Sequence, residues 1–196
     1  MTLAYRIIRS EHYEIGLIMR CLHNLSAALT RETWKPDFDL LLLILDFVES
    51  FPATFHHPRE EGYLFKAVRL RSPESASMLD ELCKDHADGL DQVCELRQSL
   101  EIYMGCPAAR GWYCNAARNL ARHEREHMRR EEGTVLPLAL QVLSKDDWAE
   151  TNSAFDRNGN PLLGAKRRKN FDRLFALILR RVPAAVVFDR REIKAA

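Results

Sequence analysis

Two short stretches of this chain carry residue types that bind transition metals. Residues 56–61 read His-His-Pro-Arg-Glu-Glu, and residues 127–132 read His-Met-Arg-Arg-Glu-Glu. Each holds a His-x-x-x-Glu unit followed by a second Glu. On a helix, residues four apart share a face, so each unit offers an imidazole and a carboxylate from one side. His12 and His86 lie in two other segments and add two imidazoles. Four imidazoles and two carboxylates are enough donors for two metal ions. Mixed nitrogen and oxygen donors suit iron, manganese or zinc, and no cysteine falls among them.

Such a set converges only if four helices carry it. Gly and Pro are scarce and fall mainly between long periodic segments. The patterning predicts helices over residues 3–31, 38–71, 73–104 and 108–143, with Asp37 capping the second. Short links between four long helices make an all-α, up-down-up-down four-helix bundle the expected fold. Additional C-terminal helices follow. Ser144-Lys145-Asp146-Asp147 caps one that reaches Phe155, and Asn158-Gly159-Asn160-Pro161 makes a tight turn. A basic amphipathic helix spans residues 162–181 and Pro183 stops it; residues 184–188 are the one strand-like segment. The expected division is a bundle over residues 1–143 and a helical extension over 144–196, packed on the bundle or on a partner subunit as a homodimer contact.

Face and height test the convergence. His12 is in register with Ile8, Ile15 and Met19; His56 and Glu60 with Leu45, Val48, Pro52 and Leu64. His86 is in register with Leu79, Leu82, Leu90 and Val93; His127 and Glu131 with Leu120, Val135 and Leu138. At about 1.5 Å of rise per residue, the six positions fall roughly 14–24 Å from one end of the bundle. Polar groups inside apolar stripes need partners, and a shared layer supplies them. A lone histidine in an apolar stripe is more often a hydrogen-bonded core residue; two His-x-x-x-Glu units and two histidines at one height are not so explained.

Other residues read more plainly. His123, one turn before His127, is an additional candidate ligand, with a hydrogen-bonded core-lining role favoured over direct ligation. His57, Glu61 and Glu132 are rotated about 100° from the ligand face and are expected in outer or exposed roles. His23 shares the face of His12 but lies roughly 16 Å away. Pro52 and Pro58 fall inside the second helix, either kinking it beside the site or starting a new helical segment. Lys166-Arg167-Arg168-Lys169 reads as a solvated helix face.

Composition bounds the rest. The 196 residues are 46% hydrophobic and 29% charged, with formal net charge +1. No electrostatic pull toward nucleic acid or an anionic membrane follows. The longest apolar run, Leu40 to Leu45, is too short to span a bilayer. The first residues lack a signal-peptide apolar run. Five scattered cysteines without a Cys-x-x-Cys pair read as reduced thiols in a cytoplasmic protein, although Cys106 and Cys114 flank a loop and could pair on oxidation.

At these residues the chain resembles the hemerythrin-like family, also called the HHE cation-binding domain, over roughly residues 5–142. His-His-Pro-Arg-Glu-Glu-Gly-Tyr-Leu-Phe resembles the family's second-helix signature, and His-Met-Arg-Arg-Glu-Glu-Gly-Thr-Val-Leu-Pro its fourth. Ser-Glu-His-Tyr-Glu-Ile-Gly around His12 and Lys-Asp-His-Ala-Asp-Gly-Leu around His86 resemble the first and third. The resemblance implies a non-haem di-iron centre with His12, His56, Glu60, His86, His127 and Glu131 as ligands. Two irons are the implied cofactor, ahead of Mn or Zn. Oxygen carriers of the family have a histidine four positions after the third-helix ligand and an Asp five after the fourth-helix His; here Leu90 and Glu132 stand there. This pattern is closer to bacterial proteins linked to repair of iron centres, although their N-terminal domain with paired cysteines is not seen, and to the iron-sensing F-box subunit. The function implied is binding of O₂, peroxide or nitric oxide at open iron positions, in sensing, iron homeostasis or stress response. A di-iron peroxidase or nitric oxide reductase, and a helical interaction module with a structural metal, are the alternatives.

Overall fold

The computed structural model describes residues 2–31, 34–156 and 165–187. Four long helices form the bundle. Helix α1 is Leu3–Leu29, capped by the Thr2 hydroxyl accepting from the Tyr5 N–H. Helix α2 covers residues 38–71 and starts where the Asp37 carboxylate accepts from the Leu40 N–H, the cap expected from sequence. Helix α3 is Ala76–Gly105 and α4 covers residues 110–142. Contacts run α1 to α2, α2 to α3, α3 to α4 and α4 back to α1, the closed ring of an up-down-up-down bundle. Helix ends depart from the sequence reading by no more than about a turn.

Helix α2 is not uniformly α-helical. It runs as α over Phe38–Phe51, π over Pro52–His56, α over His57–Arg59, π over Glu60–Phe65 and α over Lys66–Arg71. The two prolines begin or sit beside these changes. Helix α4 switches likewise, with π geometry over Glu131–Val135 between two α segments. A π turn holds one extra residue and rotates everything after it. Such turns recur at functional sites. Both repeated phrases therefore enter a π segment at their first glutamate.

Three shorter helices follow. Helix α5, Lys145–Phe155, starts at a Ser144–Asp147 capping box and packs on α1. Helix α6, Ala165–Arg181, lies on α2, and α7, Ala184–Val187, lies against α1. The strand-like reading of residues 184–188 is thus corrected to a helical turn through Val187. The Asn158–Pro161 turn and residues 162–164 of the expected basic helix lie outside the described residues. The apolar side of α6 packs on its own bundle: Phe171 meets Phe51 and Phe55 at ring-centroid distances of 5.0 and 5.5 Å. No helix among the described residues is long and apolar enough to cross a membrane. All five cysteines are free thiols.

The core is divided. One apolar cluster contains Ile15, Leu22, Ile44, Phe51, Leu96, Tyr113 and Leu120 with their neighbours, and extends to Phe171 and Ile178 of α6. The other contains Ile8, Leu64, Phe65, Leu79, Leu82, Val135, Leu136 and Phe155. Between them lies a buried polar layer.

Candidate metal centre

His12 of α1, His56 and Glu60 of α2, His86 of α3, and His127 and Glu131 of α4 all lie in that layer, each no more than 5% exposed. The four imidazoles share one orientation. Each turns Nε2 inward and Nδ1 outward to a carboxylate. Nδ1 of His12 is 3.1 Å from Glu132 Oε1, that of His56 is 2.8 Å from Glu11 Oε2, that of His86 is 2.5 Å from Glu61 Oε1, and that of His127 is 3.4 Å from Asp85 Oδ2. When Nδ1–H donates outward, the Nε2 lone pair faces in, as a metal-ligating histidine requires. Three outer carboxylates are held in turn by arginines: Glu132 by Arg9, Asp85 by Arg130, and Glu11 by Arg59 at 2.6 Å.

Inside this ring the two glutamates reach toward both sides. Glu60 Oε1 is 3.3 Å from Nε2 of both His12 and His56, while its Oε2 faces His86 at 3.8 Å. Glu131 Oε2 is 3.2 Å from His12 Nε2, while its Oε1 is 3.3 Å from His127 and 3.7 Å from His86. Donor atoms of Glu60, His86, His127 and Glu131 lie within 4.8 Å of one another, as do those of His12, His56 and Glu60.

The layer is short of partners. Among the described residues, five buried side-chain atoms make no hydrogen bond: His56 Nε2, Glu60 Oε2, both carboxylate oxygens of Glu131, and Glu124 Oε2. Four of the five belong to the inner set. Buried polar atoms without partners are rare and costly. A cation between the two groups would satisfy them, and imidazole with carboxylate is a donor set suited to iron. The model of the hemerythrin HHE cation-binding domain matches residues 3–139. This chain belongs to that family. Comparison with curated proteins finds no significant match.

Electrostatics of this hemerythrin-like layer follow from its packing. Burial alone pushes the imidazoles of His12, His56 and His127 down. The neighbouring glutamates outweigh it and raise all three, His12 well above its ordinary value. Burial and the neighbouring Glu131 charge push the Glu60 carboxyl up. The His56 charge and the hydrogen bond with His12 outweigh them and leave it low. For Glu131, burial is likewise outweighed by the charge of His127 and the nearness of His12 and His86. An ion taken up by these histidines would compete with protons for the same atoms.

Several sequence expectations need correction. Leu90 is not in the stripe of His86; it is 48% exposed. Gly89 takes the inward position instead and brings α4 close, since a Cβ there would meet Glu124 Oε1 at 3.2 Å. His57 is not peripheral: it is 7% exposed and lies among the ligand-type histidines. Uniform α geometry places it 100° off the site, and the π turn ahead of it rotates it inward. Glu61 and Glu132 do take the outer positions expected of them. His123 makes no part of either donor group; its Nε2 is 2.8 Å from the Asp85 carbonyl oxygen. His23 is exposed and lines a groove of about 400 Å³ with Arg20 and Arg125.

Arg168 is the largest correction. The solvated run contains a guanidinium that is 3% exposed. It pairs with Glu14, with Asp172 at 2.8 Å and with Glu11 at 3.5 Å. Helix α6 is thereby tied to the carboxylate that holds His56. Glu11, fully buried, was missed as well. A signal was present: it interrupts the stripe Ala4, Ile8, Ile15, Ile18 and Leu22, and an acid there needs cationic partners.

Proposed function

We propose that this hemerythrin-like chain holds two non-haem irons, with His12 and His56 on one, His86 and His127 on the other, and Glu60 and Glu131 shared. The observation that carries this reading is that each inner glutamate directs one oxygen toward each histidine group. Bound iron supplies a redox change and open positions for a small diatomic or peroxide ligand. The chain's part is to orient the donors and exclude water. Four outer carboxylates fix the imidazole tautomers, and apolar rings cover the layer, with Phe51 stacked beside His56 and Phe65 beside His86. A layer so enclosed favours reversible ligand uptake in sensing, iron homeostasis or stress response.

Metal analysis after anaerobic Fe(II) loading tests this. About two irons per chain are expected, with a ligand-to-metal charge-transfer band after exposure to O₂, peroxide or nitric oxide. The His56→Ala and His127→Ala variants should each lose at least one iron. A chain that stays metal-free after loading sinks the reading. Steady turnover of peroxide or nitric oxide, abolished by His56→Ala, would move it to an enzyme.

A further inference from the structure

The groove that His23 lines has a chemistry of its own, apart from the metal layer. It runs between α1 and α4 and encloses about 400 Å³. Its floor is apolar. Met19 and Ala121 are buried there, and Gly16 adds no side chain; a Cβ at Gly16 would meet only the Met128 methyl group, at 3.8 Å. Its rim is polar: Arg20 and His23 rise from α1 and Arg125 from α4, one turn after Ala121. No carboxylate lines it. The rim therefore carries charge without a partner. Arg59, Arg168 and Arg181 each meet a carboxylate, whereas among the described residues Arg20 and Arg125 meet none. Two nearby acids face other helices: Glu14 pairs with Arg168 of α6, and Glu124 lies against Gly89 of α3.

From this placement we propose that the α1–α4 groove binds a small organic anion. Its phosphate or carboxylate head lies between Arg20 and Arg125, and its apolar body lies on Met19 and Ala121 in the space left at Gly16. Two cations in one groove repel, and an anion between them removes that cost. A guanidinium presents paired N–H groups that match a carboxylate or a phosphate, and the His23 imidazole adds a further polar contact. A volume near 400 Å³ fits a small molecule, as does an apolar floor with a few polar groups at its edge. The groove starts one turn along α1 from His12 and uses none of the inner donors, so the proposal does not rest on the two-iron reading.

Calorimetric titration of the full chain with phenyl phosphate and with phenylacetate tests this. At least one of them should bind once per chain, and the tighter of the two identifies the head group. Inorganic phosphate, which lacks the body, and benzyl alcohol, which lacks the charge, should each bind at least about tenfold more weakly. Arg20→Gln and Arg125→Gln should each weaken the tighter probe at least about tenfold, and the pair about a hundredfold. Arg122→Gln, on α4 outside the groove, should leave it unchanged. All three arginines are exposed, so the variants should fold, which circular dichroism checks. Wild-type affinity in a folded double variant would overturn the proposal, as would the absence of binding by both probes at millimolar concentration. Inorganic phosphate binding as tightly as phenyl phosphate would mark an adventitious ion only and overturn it too. The titrations are repeated after chelator treatment. Binding that persists supports a site apart from the metal layer; binding that vanishes would place the anion on a metal ion and overturn the proposal.

Discussion

Glu131→Ala should cut bound iron from about two per chain to one or fewer, while circular dichroism still shows a helical bundle. Glu131 faces His12 with one oxygen and His127 with the other, so on the two-iron proposal its loss takes a donor from each ion. The larger effect is charge. Two divalent ions 3.5–4 Å apart repel by roughly 15–20 kcal/mol at an effective dielectric of 20. Anions placed between them are the main offset. With Glu60 alone left there, the second ion is the one lost, and its affinity should fall by more than about a hundredfold. Iron titration followed by chelator competition measures this. Two irons retained within threefold of wild-type affinity would show that Glu131 does not bridge.

Removing Glu11 should have the largest effect on stability. Glu11 has no exposed surface, accepts from His56 Nδ1 at 2.8 Å and from Arg59 at 2.6 Å, and faces Arg168 at 3.5 Å. Glu11→Ala leaves the Arg59 guanidinium and the His56 imidazole without their anion, while Arg168 keeps Glu14 and Asp172. Breaking such a buried set from one side costs about 3–5 kcal/mol, or roughly 6–20 °C in Tm for a chain of this size. Glu11→Gln keeps an acceptor oxygen and should cost less. The effect has a pH sign. Burial pushes the Glu11 carboxyl up, but His56 and Arg59 outweigh it and hold it below the ordinary carboxylate value. Its contribution is therefore present above the unfolded value and lost as pH falls through the folded one. The gap between wild type and Glu11→Ala should narrow in acid. Thermal melts of the metal-free proteins across pH 3–8 check both claims; a variant within 1 kcal/mol of wild type at neutral pH would refute them.

The sequence was most readable where ligand-type residues break an apolar stripe. His12, His56, Glu60, His86, His127 and Glu131 stand out because their helical neighbours are apolar and offer no partner. The bundle itself follows from the same periodicity and from the caps at Asp37 and Ser144. Reading failed where one uniform helical period was assumed. His57 moved inward because a π turn precedes it, and no residue-by-residue propensity marks that turn beyond the presence of Pro52 and Pro58. Leu90 moved outward because Gly89 makes the close helix contact. Arg168 was hidden by its own neighbours: within Lys-Arg-Arg-Lys, charge density suggests solvent, and only tertiary contact with Glu11 and Glu14 shows which cation is buried.

The divided core has a consequence for cooperativity. An apolar core transmits stability because every side chain leans on the next, and here that chain of contacts is cut by a polar layer across all four helices. The two apolar halves meet across the layer's hydrogen bonds and, on the two-iron proposal, its ions. With iron bound, the halves should open together, and amide protons in both should exchange only through global unfolding. Without iron, the smaller half around Leu64, Leu79 and Leu136 should open first, at a lower free energy than the half around Ile18, Phe47 and Leu120. Hydrogen exchange on the two forms would show one slow-exchanging population becoming two, which would make metal status readable in the protein's motions.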